Sequence, residues 1–354
     1  MQKLGQHQAR ARRGQRVTNL PPLWLLASLS LAVSFALALG WRGWALRRGV
    51  LDAPDARRLH ATPTPRGGGV GIAIVLLAAA PWLGAGWGWF AAGLALCAGA
   101  GLVDDVRPLP PLAKGVLQAL GAACLAAGFP LLPELWGAPV GHALAWLLAM
   151  VLVNFWNFID GSNGMATSQA LFAALGLAAL VPAAGQVAWL AVALAAACLG
   201  FLPLNLPRAR LFLGDVGSHA LGYALAALVL MAAAPAGHRA WLLALPVSAV
   251  VLDAGLTLLS RARRRQVVWR AHREHLYQRA VAHGWSHAGV CMLYAGWTLA
   301  ATALALWLAG RPAPWSLPGS VTVLVFGIIA YSLLGRAWTR PADAGGSPQE
   351  NTTG

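Results

Sequence analysis

The stretch Asn154-Phe-Trp-Asn-Phe-Ile-Asp-Gly-Ser-Asn-Gly164 closes one long apolar run and opens another. Asn154, Asn157 and Asp160 recur every three residues, so on a helix they share one face that reaches the helix end. The two glycines of the stretch then permit positive φ angles and a tight turn. Polar groups are costly within bilayer depth, so this alignment indicates a functional site, with a simple helix-capping turn as the alternative.

Composition excludes a water-soluble globular fold. The chain has 354 residues, of which 58% are hydrophobic and 10% charged, whereas soluble domains average about 25% charged residues. Apolar runs of about 20 residues are typical of membrane-spanning helices. The sequence therefore predicts an all-α, polytopic transmembrane bundle. The net charge of +15 is first a sign of topology, and we expect no nucleic-acid partner. The four cysteines all fall in apolar runs and lack metal-ligand spacing.

About eleven spans are predicted, or ten, because a Gly-rich connection after the second leaves its length uncertain. Their ranges are 22–41, 68–84, 86–103, 112–133, 138–159, 165–182, 186–204, 217–235, 239–260, 287–309 and 317–337. They form one transmembrane catalytic domain at 22–337. A basic, disordered tail is expected at 1–21 and a flexible tail at 338–354.

The polar motifs all fall in alternate connections between spans, which places them on one side of the membrane. These connections are 42–67, 104–111, 160–164, 205–216 and 261–286. With this topology, 19 of the 26 Lys and Arg residues lie on the motif side. The positive-inside rule makes that side cytoplasmic, with a periplasmic N-terminus and a cytoplasmic C-terminus in a bacterial inner membrane.

Two motifs suggest a site for an anion and a divalent cation. Asp104 and Asp105 adjoin at the end of a span, and neighbouring carboxylates persist where a cation or a proton is shared. Lys114 can hold a phosphate as a point charge, or it can be a snorkelling interfacial anchor. Asp215 lies in a Gly-flanked turn, where it is either a helix N-cap or a ligand. With Asn157 it would supply the oxygen donors that Mg²⁺ prefers, with Mn²⁺ as an alternative ion.

Two basic connections add candidates for binding an anion. The run Pro65-Arg-Gly-Gly-Gly69 suits an anionic group at a helix start, or it is a flexible anchor. The basic residues here suit a pyrophosphate better than zinc, because the two histidines have no third metal ligand at usable spacing. They are Arg270, His272, Arg273 and His275. A basic amphipathic surface helix remains the alternative there. Asp253, inside a predicted span, needs a partner or a role, whereas Ser218 is expected only to cap a helix.

Together the motifs match a known family in their order along the chain. They are Asp-x-Pro-x-x-Arg-x-x-His at 52–60, Pro-Arg-Gly-Gly-Gly at 65–69, Asp-Asp at 104–105, Asn-x-x-Asn-x-x-Asp-Gly-x-x-Gly at 154–164, Gly-Asp-x-Gly-Ser at 214–218 and His-Arg-x-His at 272–275. In these the chain resembles the polyprenyl-phosphate N-acetylhexosamine-1-phosphate transferases of glycosyltransferase family 4, the MraY/WecA type.

The resemblance implies a reaction in which a UDP-N-acetylhexosamine and undecaprenyl phosphate, a membrane lipid, give undecaprenyl-diphosphate-sugar and UMP. By resemblance, Asn157 and Asp215 would hold Mg²⁺. Asp104 would act near the lipid phosphate and is a candidate base, and Asp160 would shape the nucleotide site. Asp105 is a further expected catalytic residue.

The family also implies residues that bind substrate. Lys114 would bind phosphate, and Arg273 and His275 would contact the diphosphate. Asn154 and His272 are further expected contacts. A homodimer is left open by the resemblance.

One departure from the family pattern bears on the sugar. Members with His-x-His-His in the last basic connection keep three histidines, whereas this chain reads His275-Leu-Tyr277-Gln278. That favours the O-antigen-initiating branch, with UDP-N-acetylglucosamine or a UDP-linked deoxy sugar as donor. The alternatives are the phospho-N-acetylmuramoyl-pentapeptide transferase of peptidoglycan synthesis and a transporter of anionic metabolites. A transporter would place charges mid-span along a path.

Overall fold

A computed structural model describes residues 22–52, 62–182, 185–267 and 272–338. Three predicted features lie outside the described residues. They are the basic tail at 1–21, residues 53–60 of the first motif, and the C-terminal tail beyond residue 338.

Within the described residues the chain forms thirteen α-helices and one two-stranded ribbon. The helices are α1 Leu23–Arg48, α2 Val70–Ala79, α3 Trp87–Val106, α4 Pro111–Gly128, α5 Pro133–Trp136, α6 Ala138–Ile159, α7 Met165–Leu180, α8 Gly185–Asn205, α9 Gly214–Ala236, α10 Ser248–Arg263, α11 Leu276–Ala282, α12 His287–Ala309 and α13 Ser316–Ala337. Short 3₁₀ helices occupy Ala80–Leu83, Gly237–Ala244 and Ala313–Trp315. Strands β1 Leu51–Asp52 and β2 Thr64–Pro65 pair antiparallel, with Leu51 opposite Pro65.

In the part of the chain that the structure describes, eight helical segments are long and apolar enough to cross a membrane, and two shorter apolar helices, Val70–Leu83 and Met165–Leu180, accompany them. The predicted all-α, multi-pass membrane fold is confirmed. Helix α10, with its basic last turn at Arg261 and Arg263, is not among these ten.

Two predicted boundaries differ from the structure. Helix α1 continues beyond residue 41 to Arg48, and it ends where Gly49 takes a left-handed conformation with φ of 70°. The span predicted at 239–260 is divided between a 3₁₀ helix and α10. Pro246 lies in that break, and proline lacks an N–H donor and disfavours helical angles in the preceding residue.

The centre of the bundle is formed by α8 and α9. In the most apolar 18 residues of each, 72% and 67% are buried, against 17% in α1 and α13, which lie at the periphery. Small residues let α1 approach α8 closely. The Ser34 hydroxyl donates to the carbonyl of Ala197 at 2.8 Å, and a Cβ on Gly200 would lie 2.3 Å from the carbonyl oxygen of Leu31.

Similar close approaches join the helix ends that carry the motifs. A Cβ on Gly101 of α3 would lie 2.4 Å from the carbonyl of Asp215 in α9. One on Gly69 would lie 2.1 Å from the Cα of Gly217. Because backbone meets backbone at these points, the ends of α3 and α9 and the start of α2 are held together at one end of the bundle.

Candidate functional site

A lysine between two carboxylates forms the centre of the site. Lys114, in the first turns of α4, places its Nζ 2.8 Å from Asp104 Oδ2 and 2.6 Å from Asp215 Oδ2. All three side chains are partly exposed, at 25%, 15% and 25%. Leu109 N–H donates to the second oxygen of Asp104 at 2.8 Å. Two separate connections, the one flanked by Asp104 and Lys114 and the one that ends at Asp215, therefore supply one alternating cluster of charges.

Asn157 extends this cluster from the end of α6. Its Nδ2 donates to Asp215 Oδ1 at 3.1 Å and to Ser218 Oγ at 2.9 Å. Ser218, expected only to cap a helix, is thus a partner of a candidate metal ligand. Asn154, three residues earlier, instead donates to Met150 O of its own helix at 2.8 Å. The shared face predicted for the two asparagines therefore brings only Asn157 into contact with the cluster.

Asp105 has a different environment from its neighbour Asp104. It is buried, and its two oxygens accept the backbone N–H groups of Asp215 at 3.0 Å and of Val216 at 3.1 Å. Helix α9 begins here, so a carboxylate from α3 caps its positive end. Gly214 makes room for it, with φ of 76° and an ideal Cβ position only 2.4 Å from Asp105 Oδ2. The adjacent carboxylates persist because each has its own cationic or N–H partners.

Arg66 caps the opposite kind of helix end. Its guanidinium donates to the carbonyls of Asp104 and Asp105, each at 2.8 Å, at the C-terminus of α3. It also lies 3.9 Å from the carboxylates of Asp52 and Asp105. A cation is stabilising at the negative end of the helix dipole, and these contacts hold the backbone of Asp104 and Asp105 in place.

Two of the three glycines that follow Arg66 are not free to bind an anion through their N–H groups, which corrects that part of the interpretation of the motif. Gly68 N–H donates to Phe212 O at 2.9 Å, and Gly69 N–H donates to Leu213 O at 2.8 Å. These donors are therefore already used. The glycines are needed because a Cβ on Gly68 would meet Phe201 at 2.5 Å.

Beside the cluster lies an open cavity of about 240 Å³. It is lined by Asp52, Arg66, Asp105, Asp160, Gly161, Ser162, Asn163, Asn205, Phe212, Gly214, Asp215, Gln278 and His287. All five predicted motif connections contribute a lining residue from the motifs or next to them. The prediction that these connections meet at one end of the bundle is confirmed for the described residues.

Asp160 is a further carboxylate in this cavity. Among the described residues, no side chain or backbone group pairs with its carboxylate oxygens. Burial, with the nearby negative charges of Asp215 and Asp105, raises the pKa of Asp160 well above its ordinary value. An acceptor held in this way is suited to a ligand cation or to hydroxyl and N–H donors of a substrate.

The turn after Asp160 is fixed by residues that the sequence reasoning did not select. Gly164 has φ of 73°, as a tight turn requires. Its N–H donates to Asn205 Oδ1 at 2.6 Å. His287, the first residue of α12, contacts Ser162 Oγ at 2.7 Å through Nδ1. A polar residue at the very start of an apolar run was the one available signal for His287.

The segment 272–278 packs on this turn from the other side. Tyr277 is fully buried, and its hydroxyl donates to Phe158 O at 3.0 Å. A Cβ on Gly161 would lie 2.3 Å from that hydroxyl oxygen. Gly161 is thus required by the contact with Tyr277, and it is not among the residues with positive φ, contrary to the expected reason for it.

Asp253 explains how that segment is anchored. The carboxylate is buried and accepts Leu276 N–H at 2.8 Å, Tyr277 N–H at 3.4 Å and the Tyr294 hydroxyl at 2.6 Å. It therefore caps the start of α11. Helix capping is therefore the role of this carboxylate inside a predicted span. Asp253 does not support the transporter alternative, in which charged residues would lie along a path through the membrane.

Of the four basic residues predicted to grip a pyrophosphate, Arg270 lies outside the described residues, and the other three lie apart from the cavity lining. His275 is buried, with its Nδ1 3.5 Å from Asp253 Oδ1 and its ring stacked on Tyr277. Arg273 is exposed. His272 is half-buried, and burial, together with His275 and Arg261, lowers its pKa to about 4. His272 is therefore neutral at pH 7, and its ring is tilted by 30° against that of His275, with centroids 4.9 Å apart.

The donor set fits a hard divalent cation. Asp215, Asn157 and the unpartnered Asp160 offer the carboxylate and amide oxygens that Mg²⁺ takes together with waters and substrate phosphates. The Asn157 amide now turns its nitrogen toward Asp215, and the reverse assignment of oxygen and nitrogen would present its oxygen. Among the described residues, no group of three or more His, Cys, Asp or Glu side chains is placed to hold a metal unaided.

Comparison with known proteins places this site in context. The model of "Glycosyl transferase family 4" matches residues 87–233. The chain is 31% identical to the decaprenyl-phosphate N-acetylglucosaminephosphotransferase of Mycobacterium tuberculosis, over 77% of this chain and 79% of the relative. It is 26% identical to a protein of Bacillus subtilis named "probable undecaprenyl-phosphate N-acetylglucosaminyl 1-phosphate transferase", over 69% and 73%. It is 34% identical to a phospho-N-acetylmuramoyl-pentapeptide-transferase of a Synechococcus strain, over 68% and 76%.

Proposed function

The chain belongs to glycosyl transferase family 4, and from this premise we propose that it transfers an N-acetylhexosamine 1-phosphate group from a UDP-sugar to undecaprenyl phosphate. An oxygen of the lipid phosphate attacks the phosphorus next to the sugar. The bond from that phosphorus to the oxygen of UMP breaks, so the products are undecaprenyl-diphosphate-sugar and UMP.

One observation carries the proposal: Lys114 holds two aspartates from different connections beside a polar cavity at the end of an apolar bundle. Transfer between a soluble, charged donor and a lipid acceptor needs charge neutralisation where water and membrane meet. The cavity of about 240 Å³ offers room for part of a nucleotide sugar, while the lipid chain stays in the bilayer.

The side chains divide the work by position. Lys114 binds the phosphate that reacts, and Asp104 orients Lys114 through their 2.8 Å contact. No strong base is needed, because a phosphate monoester has its second pKa near 6 and is largely dianionic at neutral pH. Asp105 and Arg66 are positioning residues, since they hold the ends of α9 and α3.

Asp215 and Asn157 are proposed to hold Mg²⁺, or Mn²⁺ in its place, with Asp160 facing the same cavity. Such an ion neutralises the charge that develops on the diphosphate. Asp160 accepts donors of the nucleotide and so orients it. The motif side faces the cytoplasm of the inner membrane, because the positive residues concentrate there.

The names of the relatives favour UDP-N-acetylglucosamine as the first donor to test. We propose that the product starts an O-antigen or a related envelope glycan. The Synechococcus relative supports a second candidate, in which UDP-N-acetylmuramoyl-pentapeptide is the donor. The two differ only in which UDP-sugar fits beside Gln278, Ser162 and Asn163 in the cavity.

The test is release of UMP by purified protein in detergent with undecaprenyl phosphate, Mg²⁺ and a panel of UDP-sugars. We expect UMP with UDP-N-acetylglucosamine, and no turnover by Asp215→Ala. The variant Arg107→Gln is the matched control, because Arg107 is exposed on the same connection as Asp104. Absence of UMP with every UDP-N-acetylhexosamine rejects the function, and wild-type activity of Asp215→Ala rejects the assigned metal site.

A further inference from the structure

His287 joins the cavity to the turn that carries Asp160. Its ring lines the cavity together with Asp160 and Asp215. Its Nδ1 lies 2.7 Å from Ser162 Oγ and 3.3 Å from the backbone nitrogen of Asn163. A single ring nitrogen thus contacts two consecutive residues of the turn, which lies far from it in sequence.

These contacts fix which nitrogen carries the proton. A backbone N–H can only donate, so Nδ1 accepts from Asn163, and the Ser162 hydroxyl donates to it as well. In the neutral imidazole the hydrogen must then be on Nε2. Among the described residues, no protein group accepts a hydrogen bond from Nε2.

We propose that His287 is a substrate-binding residue whose Nε2–H donates to an acceptor on the sugar nucleotide, while Nδ1 holds the turn that presents Asp160. This inference rests on the proposed function and names a further contact of that same site. Three features carry it: the ring lines the cavity, the turn orients the ring, and its second nitrogen has no partner among the residues that the structure describes.

Two amide substitutions separate the two edges of the ring. Asparagine places its amide near the position of Nδ1, so His287→Asn retains an acceptor for Asn163 N–H but has nothing at Nε2. Glutamine reaches the position of Nε2, so His287→Gln retains a donor toward the cavity but leaves the turn without its acceptor. The pair distinguishes substrate binding from support of the turn.

The experiment measures KM for the UDP-sugar, KM for undecaprenyl phosphate, kcat and the thermal midpoint of each variant. For His287→Asn we expect a ~5- to 10-fold rise in KM for the UDP-sugar, as for loss of one hydrogen bond. Its KM for the lipid and its thermal midpoint should match the wild type. For His287→Gln we expect a lower thermal midpoint and a smaller rise in KM for the UDP-sugar.

Three results would overturn the inference. The first is a wild-type KM for the UDP-sugar in His287→Asn, which makes the histidine a support of the turn only. The second is an equal rise in both KM values. The third is a larger rise in His287→Gln than in His287→Asn. Failure of the proposed function is seen separately, as a wild-type protein that releases no UMP with any donor, and the inference then falls with it.

Discussion

The Lys114→Met variant should bind a divalent cation more tightly than the wild type, and its turnover should be slower. In the structure, the ammonium group is the cation shared by Asp104 and Asp215. Methionine preserves the length of the side chain but removes the charge. The two carboxylates then face each other, and a divalent ion is the group that relieves their repulsion.

The structure sets the size of the effect. With contacts of 2.8 and 2.6 Å to one nitrogen, the two carboxylate oxygens are at most 5.4 Å apart. At an effective dielectric constant of about 20, two unit charges at that separation repel by about 3 kcal/mol. The groups are 15–25% exposed, so solvent screening reduces this. We expect ~10- to 100-fold tighter cation binding, at about 1.4 kcal/mol per tenfold.

The assay is titration with Mn²⁺, followed by its electron paramagnetic resonance, on detergent-solubilised protein without substrate. Release of UMP should fall ~10- to 100-fold in the same variant, because a charge-assisted phosphate contact worth about 1.5–3 kcal/mol is lost. Arg107→Met removes a cation from the same connection outside the cluster and should change neither quantity. Unchanged or weaker Mn²⁺ binding by Lys114→Met, or undiminished UMP release, would refute the reasoning.

Three further predictions concern the turn and the segment that packs on it. Gly161→Ala should lose most activity, because the new Cβ lies 2.3 Å from the Tyr277 hydroxyl oxygen, and adding Tyr277→Phe should restore part of that activity. Gly115→Ala, where the new Cβ meets open space, is the control. Additive effects of the two substitutions in a double-mutant cycle would contradict the contact. Asp160→Asn should raise the thermal midpoint at pH 7 yet abolish UMP release. The pKa of Asp160 in the folded protein is raised, so the wild type loses stability as pH rises above about 4. A gain in thermal midpoint that persists at pH 3 would contradict this. His272 has a folded pKa of about 4, below its unfolded value near 6.5, so the wild type loses stability as pH falls from about 6.5 to about 4. In pH-dependent thermal unfolding, His272→Asn should lose less stability than the wild type over that range. Equal losses of stability would show that His272 is not responsible.

The membrane fold and the meeting of the motifs could be predicted from sequence because both follow from one-dimensional patterns. Apolar run length determines the helices, and alternate connections must share a side of the membrane. Asp104, Lys114 and Asp215 could be placed together in this way, although 101 residues separate Lys114 from Asp215.

The division of labour within each motif could not be predicted, because it depends on which backbone lies opposite. Asp104 and Asp105 are chemically alike, yet one contacts Lys114 and the other caps α9. The glycines at 67–69 suggested an anion site, but the N–H groups of Gly68 and Gly69 donate to another segment. His287 was overlooked because its partners, Ser162 and Asn163, lie more than 120 residues away.

The direct backbone contacts of Gly69 with Gly217 and of Gly101 with Asp215 set the design of any library for altered donor specificity. Any larger side chain at those glycines would wedge the aspartates apart and remove activity toward every donor at once. Such a library should instead vary Ser162, Gln278 and their neighbours along the cavity wall, where substitution can change which donor is accepted. The unchanged glycine contacts then keep the reacting groups in their positions.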